Sequence, residues 1–285
     1  MKPQGRRESF KKGLPMSTNP LIALTDRTWN PVRRCTKISS DCYYCYLEEY
    51  AHRLRMPGSN FERGFEVHLP FDELLKPLSW REPSIVSVNS MSDLFHDDVP
   101  DSYIVEVFYI MATVDWHVYL VSTKHPERMQ RMIADQLQFA SKLEHIWRGT
   151  KVENREQGLP LINTLRNSDI PRRFLSCEPL LDDLGTVNLD GIEWVIAGGE
   201  NGRKARRIKK EWLISLRDQC DAAKVPFFFK QWGGFPKAKY GCLLDGNQYQ
   251  AVPPLQTGVV RSLSLCRNMK AALRVRSISS LPLFA

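Results

Sequence analysis

Six short apolar runs recur along this chain, and each stops abruptly at polar residues. They span residues 84–89, 117–122, 146–152, 173–177, 193–197 and 226–230. Their apolar character is nearly unbroken, which suits strands covered on both faces. A run over residues 21–25 reads as a further strand ahead of them. Between the runs, apolar residues recur at helical spacing: Leu47, Tyr50, Ala51 and Leu54, then Ile104, Val107, Phe108 and Met111, then Leu213, Leu216 and Cys220. Strands alternating with helices predict a parallel sheet with right-handed crossovers. Six or seven such units make the expected fold α/β, an open or partial parallel βα-barrel. A doubly wound sheet is the alternative.

The polar residues that end each run are the first pointer to a site. Asn89-Ser90-Met91-Ser92-Asp93 follows one strand, Ser122-Thr123-Lys124 the next, and Glu153-Asn154 the one after. Cys177-Glu178-Pro179, Gly198-Gly199-Glu200-Asn201-Gly202 and Lys230-Gln231-Trp232-Gly233-Gly234 complete the series. In a parallel barrel all strand carboxyl ends share one rim, where active sites form. Each residue also has a plainer role open to it. Ser92 or Asp93 can cap a helix, Gly198-Gly199 can make a tight turn, and Lys230 can pair with a carboxylate. His96, His117 and His125 read as packing or surface residues.

Cys35, Cys42 and Cys45 lie ahead of the second strand in a C-x6-C-x2-C pattern. Two cysteines three residues apart can point at one metal from a single turn, and the six-residue spacer can bring a third around it. Three thiolates leave a coordination position open for chemistry, whereas closed structural sites take four ligands. Metal-free thiols are one alternative. Structural zinc with His52 or Cys177 as fourth ligand is another. A disulfide framework is disfavoured, because seven cysteines is an odd count and a chain of 285 residues needs no staples. A [4Fe–4S] cluster on Cys35, Cys42 and Cys45 is the expected centre. Its open iron can take the amino and carboxylate groups of S-adenosylmethionine, the expected second cofactor. Asn89, Ser90, Asp93, Gly198, Gly199 and Glu200 are the candidate cofactor-binding residues, and Glu178 and Lys230 the candidate catalytic pair.

Charge bears on partners. The chain carries a net +8. Residues 1–16 hold +4 of it and residues 253–285 hold +5, so subtracting both leaves about −1 for the body. The three parts read as a disordered basic extension (1–16), the barrel domain with its cysteine loop (17–253) and a basic, Ser-rich, loosely docked tail (254–285). Inside the body, Arg203, Lys204, Arg206, Arg207, Lys209 and Lys210 form one basic cluster. Nucleic acid is an expected partner, with an electron donor if the protein is an enzyme. No apolar run approaches the length that spans a bilayer, and no signal peptide is visible, so a cytoplasmic setting without membrane contact is expected.

Several segments together resemble one family. They are Thr28-Trp29-Asn30-Pro31, Cys35-Thr36-Lys37-Ile38-Ser39, Cys42-Tyr43-Tyr44-Cys45-Tyr46, Asn89-Ser90-Met91-Ser92-Asp93-Leu94-Phe95-His96, Thr123-Lys124-His125-Pro126-Glu127-Arg128-Met129, Ser176-Cys177-Glu178-Pro179-Leu180, Gly198-Gly199-Glu200 and Phe228-Phe229-Lys230-Gln231-Trp232-Gly233-Gly234. In this order they resemble the phage "gene product 37 / gene product 68" family, a domain of unknown function whose three-cysteine element is similar to that of radical S-adenosylmethionine proteins. The resemblance implies a cluster-bearing βα-barrel and leaves the substrate unassigned. This chain departs from the pattern at Arg34 and Ser40-Asp41, where the family has a small residue and Pro-Gly, and at Gly149-Thr150-Lys151. Its C-x6-C spacing also differs from the C-x3-C-x2-C of most radical enzymes. The alternative function is a non-catalytic nucleic-acid-binding or adaptor protein with a structural zinc or iron–sulfur site.

Overall fold

The computed structural model describes residues 24–33, 67–90, 92–236 and 240–280. Seven strands form one sheet in their order along the chain, and every neighbouring pair is parallel. They are β1 (Arg27–Trp29), β2 (Ile85–Val88), β3 (Val118–Thr123), β4 (Ile146–Lys151), β5 (Arg173–Cys177), β6 (Trp194–Ala197) and β7 (Phe227–Phe229). The sheet curls into a half-barrel, so the fold is α/β with an open, partial parallel barrel. Among the described residues the α-helices are α1 (Phe71–Leu74), α2 (Asp101–Thr113), α3 (Pro126–Ala134), α4 (Arg155–Arg166), α5 (Lys210–Ala223) and α6 (Leu263–Ser280). The β5–β6 connection carries no helix and fills its place with Leu180, Leu184, Val187, Leu189 and Ile192, all buried.

Side-chain alternation sorts each strand between two cores. Val86, Val88, Tyr119, Val121, Leu175, Cys177, Val195, Ala197, Phe227 and Phe229 face the helical layer and pack with Ile104, Phe108, Met129, Ile162, Leu213 and Leu216. Their neighbours Val118, Leu120, Trp147, Phe174, Trp194, Ile196 and Phe228 form a separate inner core on the concave face. The aromatics there meet edge-on: Trp147 and Trp194 at 5.6 Å, Trp194 and Phe228 at 6.4 Å. This geometry suits ring quadrupoles.

The first described strand lies at Arg27–Trp29; of the strand expected at 21–25, residues 21–23 lie outside the described residues and Leu24 and Thr25 are not strand. It is a short edge strand and half exposed, so it lacks the unbroken apolar signature of the others. Leu24 instead drops into the inner core. The far end of the chain is also more ordered than its composition suggests. Phe229 N–H donates to Tyr249 O at 2.7 Å and Ala251 N–H to Phe227 O at 3.0 Å, so residues 249–251 cover the β7 edge. The chain then crosses the strand amino ends, where Leu255 packs on the inner core and Gly258 N–H bonds Asp115 O at 2.7 Å. Helix α6 follows and buries Cys266 and Leu273. Arg276 reaches Glu106 at 3.2 Å, a carboxylate only 1% exposed. Between β7 and this crossing, β8 (Leu243–Leu244) and β9 (Asn247–Gln248) make a small hairpin.

Two histidines are sealed at the amino ends of β3 and β4. His117 Nε2 meets Pro77 O at 3.3 Å, and His145 Nε2 meets Met111 O at 3.0 Å. Burial lowers the pKa of both, that of His117 to about 4. A histidine depressed in the folded state favours folding fully above its unfolded pKa, about 6.5, and that contribution is lost as pH falls toward the folded value. Stability should therefore drop between pH 6.5 and pH 4, by about 3 kcal/mol from His117 alone at 1.36 kcal/mol per pKa unit. Urea unfolding across that range checks this, and His117→Phe should flatten the slope.

Candidate functional site

Because all seven strands run one way, their carboxyl ends form one rim. The chain leaves β1 there through Asn30, Pro31, Val32 and Arg33, two residues ahead of Cys35. Three elements stitch this exit. Asn89 N–H donates to Trp29 O at 2.8 Å, and Val32 N–H donates to Asn89 Oδ1 at 3.4 Å. Ser92 Oγ donates to Val32 O at 2.6 Å, and Tyr103 OH on α2 donates to Pro31 O at 2.8 Å. Arg33 pairs with Glu73 of α1 at 2.8 Å. Arg33 and His68 also exchange both backbone hydrogen bonds, at 2.8 and 2.9 Å. The segment carrying the cysteines therefore starts and ends at one fixed point on the rim. Cys35, Cys42, Cys45 and His52 themselves lie outside the described residues.

The remaining candidates divide into two clasps. In the first, Asn89 takes a left-handed turn with φ 53°, a conformation asparagine tolerates, and swings the chain off β2. Asp93 then reaches β3. Its Oδ1 accepts from Phe95 N–H at 3.0 Å and Thr123 Oγ1 at 2.6 Å, and its Oδ2 accepts from Lys124 N–H at 2.7 Å. Arg128 on α3 donates to Phe95 O at 3.4 Å and Val99 O at 2.6 Å, holding the same loop from outside. Ser90 stands exposed at the edge.

The second clasp joins β5, β6 and β7. Glu178 pairs with Lys230 at 2.8 Å and accepts from Gln231 Nε2 at 3.0 Å. This pair spans β6, and Gly198 leaves room for the Glu178 side chain. A Cβ there would sit 3.3 Å from Glu178 Cγ. At Gly199 a Cβ would lie 1.9 Å from Trp232 O, so the neighbouring backbone demands glycine. Glu200 accepts from Arg206 at Nε, Nη2 and the backbone N–H, at 2.8–3.0 Å, which organises the turn after β6. Between the clasps, Glu153 after β4 bonds Lys124 at 2.6 Å, and its carbonyl accepts from Leu181 N–H at 2.7 Å. Asn154 caps α4 through Gln157 N–H at 2.8 Å.

The concave face changes character along its strands. Its amino half is the aromatic core. By the same alternation its carboxyl half presents Ser87, Ser122, Lys151 and Ser176, all half-buried. Lys151 is the residue that strand-end reading misses, because it is still inside β4. Counting in twos from Trp147 finds it. It has no ion pair or hydrogen bond among the described residues. Trp147 Nε1 below it, and Asn89 Nδ2 and Asn30 Oδ1 at the β1 exit, are buried polar atoms without a partner there.

Cys177 points the other way. It sits in the helical layer, fully buried, where burial and then the nearby Cys220 thiol raise the cost of charging it. Burial pushes both up, Cys220 to about 12. The described cysteines, Cys177, Cys220, Cys242 and Cys266, are all buried. Among the described residues no group of three or more His, Cys, Asp or Glu side chains is placed to hold a metal.

A family described as "Protein of unknown function (DUF5131)" matches residues 19–253, and the chain belongs to it. No curated protein and no solved structure matches the chain. The matched span ends where the crossing beneath the barrel begins, so it takes in the half-barrel, both clasps and the cysteine segment.

Asp93 accepts three hydrogen bonds while only 3% exposed. Asp93→Asn replaces one accepting oxygen with an NH2 donor that faces a backbone N–H, and should cost about 1.5–3 kcal/mol in urea unfolding. Ser90→Ala, at an exposed position, should stay within about 0.5 kcal/mol of the parent.

Proposed function

We propose that this protein is an iron–sulfur protein of the radical S-adenosylmethionine type, with its cluster on Cys35, Cys42 and Cys45. The observation that carries this reading is the placement of the cysteine segment's root. It leaves β1 at the rim where every strand of an open parallel barrel ends. The donor set fits the group: three thiolates in one segment, with Cys177 turned into the helical layer and so removed as a fourth ligand. When bound, the cluster supplies one electron to a ligand on its open iron.

The chain's own residues would hold that ligand. Glu178 offers a carboxylate to an ammonium and Lys230 an ammonium to a carboxylate, so the pair can exchange its internal bond for a zwitterion. Lys151, Ser122 and Ser176 line the face below with one cation and two hydroxyls. Asn89 and Ser90 flank the cysteine exit with an amide and a hydroxyl. Asp93 and Glu200, each held by several donors, act as positioning residues in this scheme. Gly198 and Gly199 act by letting the backbones of β6 and β7 close up. The same motifs support kinship with the phage gene products 37 and 68, a cytoplasmic setting and a reductant as partner. Among the described residues no helix is long and apolar enough to cross a membrane.

Anaerobic reconstitution should yield about four irons and four sulfides per chain. Cys35→Ala, Cys42→Ala and Cys45→Ala should each abolish the iron, and Cys177→Ala should keep it. Electron paramagnetic resonance of the reduced protein should change on adding S-adenosylmethionine. Glu178→Gln should weaken that binding by about 1–3 kcal/mol with the iron retained. Stoichiometric zinc in place of iron would overturn the reading. A cluster blind to S-adenosylmethionine would favour a structural centre in an adaptor.

A further inference from the structure

The turn between β6 and α5 carries the body's one dense run of cations, Arg203, Lys204, Arg206, Arg207, Lys209 and Lys210. The structure separates them by partner. Arg206 is neutralised by Glu200 at 2.8 Å, and Lys210 pairs with Asp245. Arg203, Lys204, Arg207 and Lys209 have no carboxylate partner among the described residues. Arg203, Lys204, Arg207 and Lys209 are all exposed. A solvated face usually interleaves acids with its bases, and this turn does not.

Aromatic rings lie beside these cations. The Arg203 guanidinium stands 5.0 Å from the centroid of Phe235, a ring 54% exposed. Tyr240 is 47% exposed. Its ring lies against Gly234, where a Cβ would come within 2.8 Å of it. Lys209 sits 5.1 Å over the Trp212 ring. The backbone locks this surface to the rim. Gly234 N–H donates to Glu200 O at 2.7 Å, Gly202 N–H donates to Gly234 O at 3.2 Å, and Asn201 bridges Gly234. Cations and large exposed rings thus share one platform, fixed to the barrel through the second clasp.

We infer that this platform, built on Arg203, Lys204, Arg207, Lys209, Phe235 and Tyr240, binds single-stranded nucleic acid. Unpaired cations match backbone phosphates, whose contacts carry affinity without sequence preference. Exposed rings match unstacked bases, each stacking contact being worth enough to measure. A duplex keeps its bases inside and offers the rings nothing, so the rings select a single strand. An acidic peptide would satisfy the cations and leave the rings unused. The inference does not rest on the cluster, since binding here needs neither iron nor a second cofactor.

Fluorescence anisotropy with labelled oligothymidylate and oligouridylate roughly 12 nucleotides long, a length within the usual single-strand site range, tests this on the full chain. Binding should be salt-dependent and at least tenfold tighter than to a duplex of equal length. The Arg203→Ala/Lys204→Ala double variant should lower the slope of log affinity against log salt by about 1.4, at 0.7 per phosphate contact. Phe235→Ala and Tyr240→Ala should each weaken binding about fivefold or more, with the slope unchanged. Arg267→Ala/Lys270→Ala on α6 should change neither. Equal affinity for duplex, parental affinity in both aromatic variants, or loss of binding through α6 instead would each overturn the inference. Comparing the two oligomers tells whether DNA or RNA is preferred. Iron content is a separate readout, so failure here and failure of the cluster assignment are distinct results.

Discussion

A parallel sheet laid down in strict chain order has one consequence that shapes everything else. Each right-handed crossover delivers its connection to the same face. Helices therefore cover the convex side, and among the described residues no second layer covers the concave side. It must fill itself. Trp147, Phe174, Trp194 and Phe228 do this across four neighbouring strands, with Leu24 and Leu255 closing the floor. Large rings are what the geometry requires, since a half-barrel leaves more space inside than Val or Ile can fill. The Gly149 position shows how tightly they fit. A Cβ there would meet the Phe174 ring at 2.6 Å. Filling the amino half this way leaves the carboxyl half of the concave face free to be polar.

The chain manages its charges by depth. Arg148, on the outer face of β4, is fully buried. It donates to Ile146 O at 3.0 Å and to Ala140 O, and stands 5.8 Å from the Phe108 centroid. No carboxylate pairs with it among the described residues, and burial lowers its pKa to about 9. Desolvation there is met by carbonyls and one ring face alone. At the rim the opposite holds. Every carboxylate of the two clasps meets a cation or several N–H and O–H donors, at 2.6–3.0 Å. Those bonds order the loops that follow the strands, which is why the strand ends are polar even before any ligand is considered.

Much of this was legible in the residues. Six of seven strands stand where unbroken apolar runs put them, since central strands covered on both faces have that signature and no other. β1 was not legible at its true place because an edge strand of three residues, RTW, carries no run at all. The ordered tail was missed for a related reason. Its buried stripe, Cys266, Met269 and Leu273, is too narrow to stand out among exposed arginines. At the candidate site the strand-end rule found the right segments but could not assign their partners. Asp93 and Glu200 look alike in sequence to Glu178, and only the fold shows that the first two are consumed by structural donors. Lys151 escaped because it is the last residue of β4 rather than one of the polar residues that follow it. The cysteine assignment still rests on spacing and resemblance, with the structure adding where the segment is rooted and where Cys177 points.

The segments that carry the resemblance prove to be one another's partners. Asn89 through His96 and Thr123 through Arg128 close the first clasp, and the first of these also grips the exit from Trp29 to Arg33. Glu178 with Pro179 and Leu180, Gly198 through Glu200, and Lys230 through Gly234 close the second. There Leu180 N–H bonds Gly198 O at 2.9 Å and Gly199 N–H bonds Gln231 O at 2.8 Å. Glu153 belongs to both, through Lys124 on one side and Leu181 on the other. A motif set of this kind would persist for stability alone, so its presence does not by itself argue for chemistry. What stability does not require is Lys151, with no partner among the described residues, on a polar face, or four cations with no carboxylate partner among the described residues in a turn whose Arg203 stands beside the exposed ring of Phe235. Neither contributes to the clasps. Both lie on the rim side, where a ligand or a strand of nucleic acid could reach them. Function in this fold is therefore best sought in the Glu178–Lys230 pair, whose internal bond a ligand can replace, and in the residues that the clasps leave over.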